Sequence, residues 1–155
     1  MIRPAAAVPA LLLLLASCYS VGGLYEIREV KVRVFDNVSD RRTQEFDLTN
    51  AVVHEMTAKG LRVNGSDAPF TLEGRILDMR TPTVVTGDLD AVVVGSLALS
   101  VEIRLVNRDG KEVWKDDRTE SVSFTSSRGQ TFDSARHEAF DRLARWVTSH
   151  FEKEW

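Results

Sequence analysis

Hydrophobic and polar residues alternate along several segments of the chain, with a period that differs from segment to segment. Val30, Val32 and Val34 fall at every second position, which is typical of a half-buried β-strand. The next segment, from about Gln44 to Lys59, has apolar residues at roughly helical spacing and is followed by Gly60, a natural C-cap. These apolar residues are Phe46, Leu48, Val52 and Met56. The pattern therefore predicts a strand followed by a helix.

The middle of the chain returns to a period of two. Residues 61–63 and 70–76 predict one strand or two, and Leu97 to Leu105 shows the most regular alternation in the sequence. One face of that strand is expected to be buried and the other wet. Residues 107–110 end in Asp-Gly, which tolerates the positive φ of a hairpin turn, so a returning strand is expected after them. Residues 84–94 predict a loop or the distal turn of a long hairpin.

The last segment again has helical spacing, and Asp133 or Ser134 is expected to cap its start. Its apolar stripe consists of Ala135, Ala139, Phe140, Leu143, Ala144, Val147 and Phe151. A stripe of this width covers a sheet. The order of elements predicts an α+β domain, with two helices packed on one face of a roughly four-stranded, mainly antiparallel sheet.

The first residues follow another pattern, with Arg3 before an apolar run and small residues before Cys18. A helix that spans a bilayer needs about 20 apolar residues, so this shorter run fits a secretory signal peptide better. Residues 15–18, Leu-Ala-Ser-Cys, match the bacterial lipobox, whose cysteine thiol receives diacylglycerol before cleavage frees its amine for a further acyl chain. The alternative is an ordinary signal peptide with an incidental cysteine.

We therefore expect residues 1–17 to be a lipoprotein signal peptide and residues 18–155 to form a single domain that starts with an acylated Cys18. One acyl chain holds a protein only marginally, but about three chains hold it firmly. Tyr19 follows the cysteine, in place of the aspartate that retains many lipoproteins at the inner membrane. This favours attachment to the outer membrane, with the domain facing the periplasm.

Composition adds two constraints. Cys18 is the only cysteine, so no disulfide forms within the domain and its stability must come from an apolar core. The chain has 20 basic and 23 acidic residues, a formal charge of -3 that becomes -4 when Arg3 is removed with the signal peptide. Nothing in this balance suggests a nucleic-acid partner.

Candidates for catalysis are few. The three histidines, His54, His137 and His150, are not spaced as metal-binding pairs, and the sequence contains no GxSxG, HExxH or phosphate-binding glycine loop. We therefore expect no enzymatic activity, no catalytic residues, no cofactor and no metal site. Three arginines, Arg75, Arg80 and Arg104, are expected on the wet face of the sheet, where they are candidates for binding an anionic glycolipid. The alternative is an ordinary solvated sheet face.

Several motifs in order along the chain resemble the LptE family of lipopolysaccharide-assembly lipoproteins. They are CYSVGG (18–23), EVKVRVFDN (29–37), GLRV (60–63), FTLEGRI (70–76), LSVEIRLVNRDGKEVWKD (99–116) and EAFDRLARWVTSHF (138–151). The first strand departs from the family at Arg33-Val34, where members usually have a proline, and residues 83–94 match poorly. The resemblance implies a non-enzymatic outer-membrane lipoprotein that partners and plugs an LptD-like β-barrel translocon and engages lipopolysaccharide.

A second class of protein shares the opening of this pattern. Lipoprotein regulators of cell-wall synthesis or secretion, of the penicillin-binding-protein-activator or curli-secretion type, also begin with an alternating strand ending in Phe-Asp/Asn-Asn and a helix. Their domains more often continue as alternating strand and helix units. Residues 97–124 here predict an uninterrupted hairpin instead, which favours the first class.

Overall fold

The structure is a computed structural model that describes residues 27–84, 94–125 and 128–152. The predicted signal peptide, Cys18 and nearly all of the segment 84–94 lie outside these ranges. The strands are β1 (Glu29–Val32), β2 (Asp36–Asn37), β3 (Arg62–Val63), β4 (Phe70–Arg80), β5 (Thr83–Val84), β6 (Val94–Asn107) and β7 (Glu112–Thr125), and the helices are α1 (Gln44–Ala58) and α2 (Phe132–Ser149).

The strands form one mixed sheet with the order β3-β1-β4-β6, in which β2 also pairs with β4, and β5 and β7 pair with β6. The long pairings of β4 with β6 and of β6 with β7 are antiparallel, whereas the short pairings of β1 and β2 are parallel. The predicted α+β class with two helices is confirmed. Within residues 27–84, 94–125 and 128–152, the sheet has seven strands rather than about four. The first strand is divided into β1 and β2, residues 62–63 form a separate edge strand, β3, and the short strand β5 follows β4 after a break at residues 81–82.

The first strand changes direction sooner than its valines predict. Val30 and Val32 are buried, but Val34 is 54% exposed because β1 ends at Val32. Phe35 enters the core instead, and its backbone N–H donates a hydrogen bond of 3.0 Å to the Thr49 hydroxyl in α1. The prediction that Val34 shares the face of the other two valines is therefore wrong, since the irregular backbone after Val32 moves the inward position to Phe35.

Helix α1 occupies nearly the predicted range and ends as expected. Gly60 has a φ of +87°, and the N–H groups of Gly60 and Leu61 donate to the carbonyls of Thr57 and Met56 at 2.9 and 3.0 Å. This is a Schellman motif, which satisfies the last carbonyls of the helix. Phe46, however, is 56% exposed. It precedes Leu48 by two residues, which at about 100° per residue places it on the opposite side of the helix.

Helix α2 begins two or three residues earlier than predicted. Thr131, not Asp133 or Ser134, is its N-cap. The Ser134 N–H donates to the Thr131 hydroxyl at 3.2 Å, and the Thr131 N–H donates to the Ser134 hydroxyl at 2.9 Å, which closes a capping box. All seven residues of the predicted apolar stripe are buried.

The core lies between the two helices and one face of the sheet. Strand β6 supplies its central row, Leu97, Leu99, Val101, Ile103 and Leu105, each at most 1% exposed. Burying a side chain of this size stabilises the fold by about 1.5–3 kcal/mol. Because side chains alternate along a strand, the same regularity that fills the core directs every other side chain of β6 to the opposite face, which no described element covers.

Candidate functional site

The candidate site is the outer sheet face, the side of the sheet turned away from the helices. Its side chains are almost all polar or charged: Lys31, Arg33, Glu73, Arg75, Ser100, Glu102, Arg104, Lys115, Asp117 and Thr119. They come from four neighbouring segments, β1, β4, β6 and β7, and lie there because each alternates with a core residue.

Glu73 is the centre of the largest ion-pair cluster on this face. Its Oε1 lies 2.6 Å from an Arg33 guanidinium nitrogen, and its Oε2 accepts a 2.7 Å hydrogen bond from Arg104 Nε. Burial raises the pKa of Glu73, but the hydrogen bonds from Arg33 and Arg104 outweigh this effect and lower the pKa overall. Glu73 is therefore ionised at neutral pH and holds the two guanidinium groups in place.

A second set of pairs extends the cluster towards the β7 edge. Glu102 forms an ion pair with Lys115, whose Nζ lies 2.7 Å from the Glu102 carboxylate. The hydrogen bond from Lys115 is the main reason why the pKa of Glu102 is lowered. Arg75, opposite Glu102 in the register, lies 4.0 Å from Asp36. Opposite charges facing each other across strands stabilise a sheet by about 0.2–1 kcal/mol per pair. Of the ten residues named on the outer face, five are basic and three are acidic, so the face is polar with a small basic excess and suits contact with water or a polar surface.

The structure places all three predicted arginines on this face. Arg75 and Arg104 line the same depression of about 70 Å³, together with Arg33 and Glu73. Arg80 lies further along β4, opposite Ala98, and pairs with Asp78. Two of the three candidates are therefore brought together, and the third is separate.

Arg33 is the basic residue of this depression that the sequence did not lead us to name as a binding candidate. The signal for it was present, because Lys31 and Arg33 alternate with the valines of the first strand. Its partnership with Glu73 across the sheet required the parallel pairing of β1 with β4, since Arg33 donates its backbone N–H to the Leu72 carbonyl at 3.0 Å.

The helix-facing side of β7 carries a separate polar cluster. Glu120 is only 6% exposed and accepts a 2.6 Å hydrogen bond from Arg118 Nε, while an Arg142 nitrogen from α2 lies 3.8 Å away. Inward-pointing charges on an edge strand oppose pairing with another chain. Asp116, Asp117 and Arg118, which precede Glu120 in β7, are exposed charged residues and oppose such pairing in the same way.

The histidines lie apart from the outer sheet face. His54 and His137 are exposed on the helices, and His150 stacks on Trp114 with ring centroids 5.0 Å apart. His150 Nε2 lies 2.9 Å from an Asp116 oxygen, and this hydrogen bond is the main cause of the lowered pKa of Asp116. Among residues 27–84, 94–125 and 128–152, no three His, Cys, Asp or Glu side chains are grouped as a metal would require, and no helix is both long and apolar enough to cross a membrane.

The architecture defines a class of small α+β proteins in which two helices cover one face of a mixed sheet and the other face remains polar. Three solved structures share the fold. A minor lipoprotein from Acinetobacter baumannii has a TM-score of 0.56 at 16% identity, covering 81% of this chain and 90% of that one. A PelC variant dodecamer from Paraburkholderia phytofirmans has a TM-score of 0.58 at 17% identity, covering 85% of this chain and 92% of that one. Lipoprotein GNA1162 from Neisseria meningitidis has a TM-score of 0.51 at 12% identity, covering 78% of this chain and 98% of that one.

Identities this low establish the fold alone, and the sequence itself gives the family. The family model described as LptE, lipopolysaccharide-assembly, matches residues 27–149, which is most of the chain. The chain therefore belongs to the LptE family, as the ordered motifs predicted. A search among curated proteins finds no match.

Proposed function

We propose that this chain is an outer-membrane lipoprotein that plugs an LptD-like β-barrel translocon and assists lipopolysaccharide assembly without carrying out chemistry itself. The family match over residues 27–149 is the observation that carries the proposal. The anchor is the acylated Cys18, after removal of residues 1–17, and the remaining residues form the plug. The protein then faces the periplasm from the inner leaflet of the outer membrane.

The outer sheet face supports the plug role. Large β-barrels have a polar interior, and a partner filling such a lumen needs a polar surface with its charges already paired. Glu73 and Glu102 hold Arg33, Arg104 and Lys115 in short ion pairs, so these five charges already have partners before any contact with the lumen. An apolar face would instead leave the polar groups of the lumen wall without partners.

The depression on the outer sheet face is the proposed contact for lipopolysaccharide. Arg75 and Arg104 line it beside Arg33, and guanidinium groups recognise phosphate and carboxylate oxygens in a planar, bidentate way. Arg104 is engaged by Glu73, so a phosphate would have to compete for it. Arg75, whose carboxylate partner lies 4.0 Å away, is the more available donor. Arg80 lies outside the depression and is the weaker candidate.

The plug role is tested by photo-crosslinking in intact cells. A photoreactive residue at Ser121, exposed on the outer sheet face opposite Ala98, is expected to crosslink to a large outer-membrane β-barrel protein. The matched control is Asn50, which is also exposed but lies on helix α1. Crosslinking of Asn50 with a silent Ser121 would show that the other face meets the partner. The plug role would be refuted if neither position crosslinked to a β-barrel protein although the chain was present at its normal level.

Depleting the protein from cells distinguishes the proposed function from the alternative, a regulator of cell-wall synthesis or secretion. Loss of the protein is expected to reduce lipopolysaccharide at the cell surface, as measured by surface labelling. Normal surface lipopolysaccharide together with a cell-wall defect would favour the regulator of cell-wall synthesis instead.

A further inference from the structure

A second surface of the molecule has a different character from the outer sheet face. One end of the sheet contains a depression of about 360 Å³ lined by Ile27, Phe70, Val113, Trp114, His150, Phe151 and Glu152. Phe151 closes the floor at 1% exposure, packed edge-on against Trp114 with ring centroids 5.8 Å apart. The lining is therefore mainly aromatic and aliphatic, in contrast to the charged depression beside Glu73.

A β-bulge exposes an aliphatic side chain at this depression. Trp114 lies opposite Leu105, but Val106 lies opposite Glu112, so Val113 is an extra residue in β7. Bulges bend a strand and redirect a side chain, and they occur preferentially near functional sites. Val113 is 49% exposed as a result. The exposed side chain of Val113 therefore extends the apolar lining of the depression beside the half-buried Trp114.

The chain also connects this end of the molecule to the proposed anchor. Ile27 lines the depression and follows Cys18 by nine residues. Nine residues span at most about 30 Å when fully extended. If the acyl chains of Cys18 lie in the inner leaflet, the end of the sheet that carries Ile27 therefore stays within about 30 Å of the bilayer surface.

We propose that this depression is a membrane seat, which rests on the lipid headgroups and upper acyl chains of the leaflet that anchors Cys18. The inference rests on the proposed function, because it requires the acylated cysteine. Tryptophan favours the interface between headgroups and hydrocarbon, and Val113 adds an apolar contact beside Trp114. The surface is too small to hold the protein by itself. The acyl chains supply the affinity, and the seat sets the orientation in which the domain stands on the membrane.

The test uses a fluorescent probe on a single thiol. Cys18 is the only cysteine of the chain, so in the acylated protein Val113→Cys provides the one free thiol for a polarity-sensitive fluorophore. On phosphatidylcholine vesicles, a neutral lipid that excludes charge attraction, we expect a blue-shifted emission, at least a twofold rise in intensity and quenching by spin-labelled lipids. Val113 is exposed, so the substitution is expected to leave the fold intact, which circular dichroism verifies.

Val38→Cys is the matched control. Val38 is also an exposed valine, at 62%, and its N–H donates to the carbonyl of Ile76, well along the sheet from Phe70 and the depression. Its probe is expected to keep the emission of a fluorophore in water. Equal shifts at Val38 and Val113 would mean that the domain lies on the membrane without a defined orientation, and would overturn the seat.

Two further outcomes also overturn the proposal. A probe at Val113 that is already shielded in the anchor-free Cys18→Ser protein, without vesicles, would mean that the chain itself or a second copy covers the depression. If the acylated protein binds vesicles but the fluorophore at Val113 keeps the emission of a probe in water, the membrane seat is refuted and the proposed function is not. Mass spectrometry of the same sample separates the two claims, since an unacylated Cys18 would refute the anchor itself.

Discussion

At the scale of single residues, Gly74 shows how one missing side chain admits another. Gly74 lies in β4 under the ring of Phe35, and a Cβ at this position would come 2.5 Å from the ring carbons. Because the ring would have to move, we expect Gly74→Ala to lower the free energy of unfolding by about 1–3 kcal/mol, the usual cost of overpacking a core. Urea unfolding measures this change.

A double substitution tests the cause. Phe35→Leu removes part of the ring, so in its presence Gly74→Ala is expected to cost clearly less than it does alone. Strictly additive effects of the two substitutions would show that the clash between these two residues is not the reason.

The ion pairs of Glu73 on the outer sheet face make the stability of the protein depend on pH. Because its folded-state pKa is lowered by Arg33 and Arg104, its contribution to stability is complete above its unfolded pKa, about 4.3, and is lost as the pH falls through the lowered value. We expect Glu73→Gln to cost about 1 kcal/mol at pH 7, a magnitude typical of partly exposed ion pairs, and progressively less below about pH 4.3.

Urea unfolding at a series of pH values measures this difference. The control is Glu112→Gln, since Glu112 is exposed and forms no ion pair with a described residue. A Glu73→Gln difference that stays constant from pH 7 to pH 3 would contradict the assignment of the effect to the ionised carboxylate.

At the scale of secondary-structure elements, the capping box of α2 is the clearest local stabiliser. Thr131→Ala removes the hydroxyl that accepts the Ser134 N–H, and we expect a loss of about 1 kcal/mol in the free energy of unfolding. Thr131→Ser keeps an oxygen at the same place and is expected to restore most of the loss, as measured by thermal unfolding. Equal losses for the two variants would point to the methyl group instead of the cap.

The elements themselves were largely predictable, because their signals are local. The stripe of α2 and the alternation of β6 each repeat a burial pattern within one segment, and both were predicted in nearly their observed ranges. The errors fell where local pattern and tertiary packing disagree. Val34 continues the alternation of β1 yet is exposed, and Phe46 joins the apolar residues of α1 yet faces away from the core.

At the scale of the whole molecule, the proposed anchor decides where the protein resides. Cys18→Ser removes the thiol that diacylglycerol would modify. In cells that lack the barrel partner, which would otherwise hold the plug, we expect this variant to move from the outer-membrane fraction to the soluble fraction, as measured by cell fractionation and immunoblotting. Ser17→Ala keeps a small residue before the cysteine and is expected to leave the protein in the membrane. A Cys18→Ser protein that stays in the membrane without its translocon partner would contradict anchoring through this residue.

The amino-acid sequence by itself determined the order of the elements, the two-helix α+β class and the family, since these follow from the hydrophobic periodicity of each segment and from the order of the motifs. It also placed Arg75 and Arg104 on the polar face, because alternation along a strand decides which side a residue takes. Only the tertiary structure brought Arg33 to Glu73, Phe35 over Gly74, and Trp114 beside His150. Those contacts join residues far apart in the chain, and they depend on which strands pair and on how the helices dock, which the pattern within a single segment does not specify.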